Sequence, residues 1–216
     1  MTDSLVFEPF NGYARHLIKI FQKLPHLILE LKTKSTFIDS ILDLVAPNIV
    51  LAWSINPENI ASIEEKYAPG YEKRIVSICK SVEAGYSTGI HFDPIIAYPD
   101  WEIQYNNTLK DIFSRIPAQK ISWISLGTFR IFPALREVIR KRHPQSRVLL
   151  NEMVKGYDGK LRYFKKNRIE IYKKMNKWIK ELGNNTVPVY LCMESAQVWK
   201  QVFGKNVNHN LLTKYR

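Results

Sequence analysis

The stretch STGIHFDPIIAYPDW, residues 87–101, decides the fold that we expect. It begins with strand-forming residues and reaches Asp93, which Pro94 follows. Because proline lacks a backbone donor and disfavours helical geometry in the residue before it, we expect the regular strand to end at Asp93. His91 lies two residues earlier, on the same face of the strand as Asp93. The two residues are either a solvated pair or part of a site where a parallel strand ends.

Apolar strands alternate with helical patterns on both sides of this stretch. Further strands are predicted over residues 27–31, 48–53 and 121–126, and helices over residues 13–24, 35–44, 58–66, 71–84, 100–115 and 133–142. Four βα units in strict order predict an α/β fold with a parallel sheet and right-handed crossovers. Residues 187–193 are a candidate last strand, with a proline typical of a sheet edge.

Polar side chains gather where each predicted strand ends. They are Lys32 and Lys34, Ser54 and Asn56, His91 and Asp93, and Thr128 and Arg130. The carboxyl ends of parallel strands meet at one rim of a sheet, where ligands bind in α/β folds. The sequence therefore predicts a ligand site at this rim.

Composition limits the classes of partner and cofactor. The 216 residues carry 32 Lys+Arg against 20 Asp+Glu, a net charge of +12 that favours polyanionic partners such as nucleic acid. Cys79 and Cys192 alone cannot form a zinc or iron–sulfur site, so no metal ligand is predicted. The N-terminus does not read as a signal peptide and no apolar run could span a bilayer, so a cytoplasmic protein without a membrane partner is expected.

The segment of residues 147–180 is rich in basic residues with aromatic residues between them. A turn at residues 157–160 predicts the tip of a hairpin, and residues 167–182 predict a helix. One interpretation is a surface for a nucleic-acid backbone, with aromatic rings available for stacking. The other is a solvated helix face with its aromatic residues in the core, and the helical spacing accounts for part of the pattern.

Seven stretches together carry a family resemblance. They are TDSL at 2–5, LELKTKS at 29–35, WSINPE at 53–58, GIHFDPII at 89–96, WISLGTFR at 123–130, DGKLRYFKKNR at 158–168 and VPVYLCMES at 187–195. In this order they resemble the spore photoproduct lyase family of radical S-adenosylmethionine enzymes, which are DNA-repair lyases with a partial (β/α)6 barrel. The resemblance implies a partial parallel barrel of about four βα units over residues 1–145, and a basic α/β extension over residues 146–216 packed on it.

The resemblance covers only the C-terminal portion of the family's architecture. Family members carry upstream a C-x-x-x-C-x-x-C loop that holds an iron–sulfur cluster, so this cofactor is expected only if that part is supplied. The implied activity is radical repair of a thymine-dimer lesion, and no catalytic residue is named. The alternatives are a non-catalytic nucleic-acid-binding module and a pseudoenzyme remnant. DNA is the expected partner, together with a separately encoded N-terminal half or self-association through an open sheet edge.

The resemblance also implies a set of residues that bind S-adenosylmethionine. Lys34 would meet the cofactor carboxylate as a point charge, and Ser54 would donate from its hydroxyl. Asn56 would hold a ribose hydroxyl or cap the following helix. The backbone around Asp93 and Pro94 would lie beside the adenine, so it matters more there than the carboxylate.

A second set is implied for the DNA. Arg130 lies where the family contacts the damaged dinucleotide and its phosphates, and a guanidinium fork suits phosphate oxygens. The segment with Lys160, Arg162 and Lys165 would follow the DNA backbone, and Tyr163 or the following phenylalanine would stack or wedge. His91 is left with two interpretations, a proton carrier or a structural residue.

Overall fold

The computed structural model describes residues 3–204. The helices are α1 Glu8–Asn11, α2 Tyr13–Phe21, α3 Glu58–Glu64, α4 Tyr71–Glu83, α5 Trp101–Arg115, α6 Pro133–Arg142, α7 Lys165–Leu182 and α8 Ala196–Phe203, with short 3-10 helices at Asp39–Ile41 and Ala118–Lys120. The strands are β1 Leu29–Thr33, β2 Ile49–Ser54, β3 Ser87–Ile95, β4 Ile121–Thr128, β5 Arg130–Ile131, β6 Met153–Lys155, β7 Leu161–Tyr163 and β8 Val189–Leu191.

Five strands form the main sheet in the order β1-β2-β3-β4-β8, and every neighbouring pair is parallel. Apolar runs that are buried on both faces form such strands, and all eight residues of β4 are buried. The prediction of an α/β fold with a parallel sheet is confirmed. A smaller antiparallel sheet of three strands, in the order β5-β7-β6, follows β4 in the chain.

One face of the main sheet packs on helices. Its side chains are fully buried, among them Trp53, Phe92 and Leu126. The ring of Phe92 contacts the ring of Tyr105 from α5 edge-on, at 5.9 Å between centroids. Burying a large side chain of this kind stabilises the fold by roughly 1.5–3 kcal/mol. This layer fixes the sheet on the helices and leaves the opposite face to the polar side chains.

The predicted helix over residues 35–44 is wrong. The structure has only the 3-10 helix Asp39–Ile41 in this part of the chain. The backbone N–H of Ser35 donates to Oγ1 of Thr33 at 2.8 Å, and Ser35 Oγ accepts from the N–H of Phe37 at 3.1 Å. Such local bonds from hydroxyl side chains compete with helix formation, so Ser35 forms a turn instead of capping a helix.

The strand that contains Asp93 does not end there. The ladder with β4 shifts its register between Thr88 and Gly89 and again after Phe92, and it resumes where Ile95 pairs with Thr128. The peptide bond between Asp93 and Pro94 is cis. The expected break is therefore an irregularity inside β3, which continues for two residues beyond Asp93.

The C-terminal segment contributes to both sheets. β8 adds the fifth strand of the main sheet beside β4, as the apolar residues 187–193 predict. β6 and β7 form a hairpin whose second strand pairs with β5. Residues after 145 are thus joined to the first part of the chain by backbone ladders, and the division into domains at residue 145 stays a prediction.

Candidate functional site

Four polar side chains lie in one row across the free face of the main sheet. Register pairs Ser54 with His91, His91 with Ser125, and Ser125 with Tyr190, on four neighbouring strands. We call the side of the sheet that carries this row the open face. All these residues except Tyr190 are buried, and burial raises the pKa of Tyr190 to about 12. The row lies near the carboxyl ends of the strands, where the sequence predicts a ligand site.

His91 of this row also belongs to a cluster with Glu30 and Trp123, which lie nearer the amino ends of their strands. Glu30 Oε1 lies 2.7 Å from His91 Nε2 and accepts from the indole Nε1 of Trp123 at 3.0 Å. Burial raises the pKa of Glu30, but its bonds to His91 and Trp123 together lower it by more, and the net direction is down. A Cβ at Gly89 would come within 2.8 Å of the indole nitrogen, so glycine there lets the ring lie across the sheet.

Lys34 follows β1 directly and belongs to a second cluster, which we call the rim cluster: Lys34, Glu65, Arg74 and Asn56. Glu65 Oε1 meets Lys34 Nζ at 2.7 Å and Asn56 Nδ2 at 2.9 Å, and Glu65 Oε2 lies 2.6 Å from Arg74 Nη1. Burial raises the pKa of Glu65, but the charges of Lys34 and Arg74 outweigh it and hold the pKa below its usual value. The buried carboxylate therefore stays ionised at neutral pH.

The amide of Asn56 is held from both ends. Its Nδ2 donates to Glu65, and its Oδ1 accepts from the hydroxyl of Tyr105 at 2.6 Å. Burial raises the pKa of Tyr105 well above its usual range, so the hydroxyl remains a donor. Asn56 thus joins the rim cluster to α5, and neither predicted role, ribose contact or helix cap, uses these bonds.

A cavity of about 330 Å³ opens at the rim beside this cluster. We call it the rim cavity, and its lining combines apolar side chains with about as many charged or polar ones: Lys34, Ile63, Glu64, Glu65, Lys66, Tyr67, Pro94, Ile96, Phe129, Ile139, His143, Ser146 and Val148. Its size and lining are those of a small-molecule site. Of the five predicted cofactor residues, the cavity brings together Lys34 and Pro94. Ser54 lines a neighbouring cavity that also contains Lys34.

The other predicted cofactor residue, Asp93, pairs with Arg130. Arg130 Nη2 lies 3.3 Å from Asp93 Oδ1, and Nη1 donates to the carbonyl of Cys192 at 3.4 Å. Burial lowers the pKa of Arg130, and the charge of Asp93 raises it above its usual value. His91 and Asp93 share one face as expected, but they have different partners, so they do not form an acid–base couple.

The hairpin carries the predicted DNA-binding residues. Lys160 Nζ lies 4.8 Å from the ring centroid of Phe132, and Arg162 Nη2 pairs with Asp158 at 2.5 Å. Register places Arg162 directly opposite Arg130, which brings these two predicted DNA contacts side by side. Lys165, at the start of α7, donates to Gln197 at 2.5 Å.

One detail of this surface needs correction, because Tyr163 cannot stack on a base in this conformation. Its side chain is buried, and its hydroxyl accepts from the backbone N–H of Ala97 at 3.3 Å. Exposed aromatic side chains near the hairpin are Phe132, Phe164, which precedes α7, and Tyr157 at the hairpin tip. Tyr163 packs the hairpin onto the loop after β3, and any stacking falls to exposed rings such as these.

Sequence reasoning missed Glu30 and Glu65. Glu65 lies just after α3 in a polar stretch, with no periodic pattern to distinguish it from Glu64. The two neighbours diverge, since Glu64 accepts from Ser146 at 2.7 Å and from Tyr98. Glu30 could have been found as an acid inside an apolar strand. Within residues 3–204, no group of three His, Cys, Asp or Glu side chains could hold a metal ion, and no helix is long and apolar enough to cross a membrane.

The fold and the site define a class: an open parallel α/β protein with a ligand cavity at the carboxyl ends of its strands. Residues 1–195 match the profile of the family described as Spore photoproduct lyase, so the chain belongs to the spore photoproduct lyase family.

Individual relatives agree with the family. The chain is similar to a spore photoproduct lyase of Clostridium acetobutylicum, with 22% identity over 158 residues, which cover 73% of this chain and 47% of the relative. The fold matches a structure described as spore photoproduct lyase complexed with dinucleoside spore photoproduct, at a TM-score of 0.78 and 20% identity, covering 88% of this chain and 58% of the other.

A further solved structure has a related description. It is a doubly substituted mutant of spore photoproduct lyase with bound AdoMet and dinucleoside spore photoproduct, which matches at a TM-score of 0.76 and 20% identity over 88% of this chain and 57% of that one. The chain thus spans about half the length of the relatives that it matches. Its recognition as the C-terminal portion of the family's architecture agrees with this partial coverage.

Proposed function

We propose that this chain is the part of a DNA-repair lyase of the spore photoproduct lyase type that binds S-adenosylmethionine and the lesion-bearing DNA. The observation that carries the proposal is the position of Lys34. Lys34 lines both the rim cavity, to which Pro94 contributes, and the neighbouring cavity, to which Ser54 contributes, so it belongs to their junction. A carboxylate ligand at this junction would meet a cation, a hydroxyl and an apolar wall.

The rim cluster fits a cofactor carboxylate. Lys34 is about one-third exposed, whereas Arg74 is almost wholly buried. If Lys34 turns to a ligand, Glu65 keeps its contacts with Arg74 and Asn56 and is not left as an uncompensated buried charge. Ser54 supplies a hydroxyl donor beside it, and the backbone at Asp93 and Pro94 faces the adenine. When bound with its iron–sulfur cluster, S-adenosylmethionine supplies the radical that starts repair.

The DNA side of the proposal rests on the hairpin. Arg130 and Arg162 lie opposite each other on β5 and β7, and Lys160 lies beside them above Phe132. Together with Lys165 they form a basic edge next to the rim cavity, where a phosphate on either side of a lesion would be met. The buried side chain of Tyr163 holds the hairpin in place through its contact with Ala97.

The remaining parts of the proposal concern partners and place in the cell. The iron–sulfur cluster would come from a cluster-binding segment, and we propose that this segment, or a second copy of the chain, adds to the main sheet at the outer edge of β1. Residue 4 already lies along this edge, since the N–H of Ser4 donates to the carbonyl of Lys32 at 3.0 Å. The protein would act in the cytoplasm.

Calorimetry with S-adenosylmethionine tests the proposal. Lys34→Met is expected to weaken binding about tenfold or more, because a hydrogen bond to a charged group contributes about 1.5–3 kcal/mol. Ser54→Ala should weaken it less. The matched control is Lys80→Met, which removes an exposed lysine that pairs with Asp39 on the helix side. Binding unchanged in Lys34→Met would contradict the proposed cofactor site.

A non-catalytic nucleic-acid-binding module is the second candidate, favoured by the net charge of +12. The two candidates differ in one measurement. Salt-dependent binding of DNA by a chain that does not bind S-adenosylmethionine, alone or with the cluster-binding segment added, would leave only the second.

A further inference from the structure

Helix α6 (Pro133–Arg142) contributes one partly buried side chain, Ile139, to the packing around the core. None of its ten residues is buried, and two of its apolar side chains, Leu135 and Val138, are 47% and 40% exposed. A helix in a globular protein normally gains its stability by burying an apolar stripe. Packing therefore accounts for Ile139 but not for the other residues of α6, which are exposed.

The surface of α6 is basic. Arg136, Arg140, Lys141 and Arg142 stand against one acid, Glu137, which pairs with Arg140 at 2.8 Å. Arg136, Lys141 and Arg142 make no ion pair with any residue between 3 and 204. On α7 the pattern is mixed. Lys174 and Lys177 pair with carboxylates on their own or neighbouring helices, whereas Lys166, Lys173 and Lys180 have no ion pair within residues 3–204.

The helix dipole accounts for only part of this pattern. Cations in the last turn of a helix are stabilised by the partial negative charge there, which suits Arg140, Lys141 and Arg142. Arg136 is the fourth residue of α6, near the positive end, where a cation gains nothing from the dipole. Because Arg136 and Arg140 are four residues apart, they lie on one face, whereas Arg142 lies with Val138 on another. Cations thus surround the helix.

The position of α6 links the two surfaces of the proposed function. At its start, Phe132 lies beneath Lys160 of the hairpin. Toward its end, Ile139 and the following His143 line the rim cavity. A chain of phosphates that runs from the hairpin to the cavity can therefore follow α6.

We propose that α6 is a docking surface for the phosphate backbone of duplex DNA next to the rim cavity. The inference rests on the proposed function, because it extends the DNA contact beyond the hairpin to the flanking duplex. A polyanion is the occupant that a helix with cations on several faces fits. Leu135, Val138 and Ile139 share one face of α6. Ile139 lines the rim cavity, however, so this face exposes two apolar side chains, fewer than a helix that lies on a lipid surface needs.

The test compares two triple variants of the full chain that each remove three positive charges. The α6 variant is Arg136→Gln/Lys141→Gln/Arg142→Gln, and the control on α7 is Lys173→Gln/Lys177→Gln/Lys180→Gln, whose lysines are also exposed. Fluorescence anisotropy measures binding to a 20-base-pair duplex, a length of about two helical turns, over a range of salt concentrations. Each lost phosphate contact lowers the salt slope by about 0.9, so the α6 variant should lose about 2.7 and bind on the order of tenfold more weakly.

The control should keep most of the wild-type slope and affinity. Equal losses in both variants would mean that only net charge matters, and would overturn the proposal. Lys160→Gln distinguishes a DNA contact at the hairpin from one at α6. If Lys160→Gln weakens DNA binding and the α6 variant does not, the hairpin contact is supported and the α6 proposal is overturned.

The reverse result would support α6 and count against the hairpin. No binding of duplex by the wild type would overturn both DNA contacts. Binding to phosphatidylserine vesicles that depends on α6, with duplex binding unchanged, would assign the helix to a membrane surface and overturn the proposal. Thermal unfolding of each variant confirms that it is folded.

Discussion

The rim cluster and α6 both contribute to the lining of the rim cavity, but their charged side chains differ in how they are paired. In the cluster, Glu65 is buried among Lys34, Arg74 and Asn56, and its carboxylate is in contact with all three. On α6, three of four cations have no partner among residues 3–204, and no residue is buried. The buried charges are already paired with each other in the folded chain, whereas exposed charges without a partner can bind a ligand. Stability measurements should therefore respond to the cluster and DNA-binding measurements to α6.

The largest effect is expected for Arg74→Met. The Arg74 guanidinium is 1% exposed, pairs with Glu65, and donates to the carbonyls of Ser54 at 3.0 Å and Pro69 at 2.6 Å. Removing it breaks the buried pair with Glu65, leaves that carboxylate with the partly exposed Lys34 as its cation, and takes the donor from two backbone carbonyls. Breaking a buried ion pair typically costs about 3–5 kcal/mol. Urea unfolding measures the loss. Arg74→Met/Glu65→Leu should recover much of it, and a single variant that loses less than about 1 kcal/mol would remove the contrast with α6.

A smaller effect is expected for Gly127→Ala, in β4. A Cβ there would collide with the carboxylate of Asp93 and push it away from Arg130. Overpacking of this kind costs about 1–3 kcal/mol in the free energy of unfolding. Gly70→Ala is the comparison, because its Cβ would lie at an ordinary 3.5 Å from Glu58. Equal decreases in the free energy of unfolding at the two positions would show that the clash with Asp93 adds no cost.

Lowering the pH should destabilise the fold through the rim cluster and not through α6. The pKa of Glu65 is below its usual value in the folded chain, so its ionisation stabilises the fold above the ordinary carboxyl pKa, and this gain is lost as the pH falls through the folded value. The free energy of unfolding should therefore decrease below about pH 4.5 in the wild type. It should decrease less steeply in Glu65→Gln. The α6 variant should keep the wild-type acid profile, and a flattened profile in that variant would contradict the division.

The smallest effect is expected for Leu135→Ala on α6. The side chain is about half exposed, so its removal should change the free energy of unfolding by less than about 0.5 kcal/mol. Leu126→Ala, at a fully buried position of β4, should cost about 2–5 kcal/mol in the same assay. A cost above about 1 kcal/mol for Leu135→Ala would show that α6 has a packing role.

Much of the fold could be predicted because its signals are local. Apolar runs followed by polar clusters identify β1 to β4, and their alternation with helical patterns identifies a parallel sheet. The segment after β1 failed because the hydroxyls of Thr33 and Ser35 bond the backbone locally, which helical spacing does not reveal. The end of β3 was misplaced because the ladder resumes beyond Pro94 after a register shift.

The site was less predictable than the fold. Strand-end reasoning finds Lys34 and Ser54, because position along a strand decides which residues meet at the rim. It cannot find Glu65, whose role depends on which of two consecutive glutamates turns toward Lys34. The burial of Tyr163 was equally invisible, since hairpin strands of three residues do not show which face packs inward. Contacts between residues that are far apart in the chain produce no periodic pattern in the sequence.

The indole of Trp123 sets how deep a ligand can go. It lies over Gly89 and bonds Glu30, so the middle of the open face is already filled by the protein's own side chains. A molecule that enters from the carboxyl ends of the strands is therefore blocked by the indole of Trp123. This residue pairs with Gly89, two residues before His91 along β3. The free volume of the open face therefore lies above this indole, near the carboxyl ends of the strands.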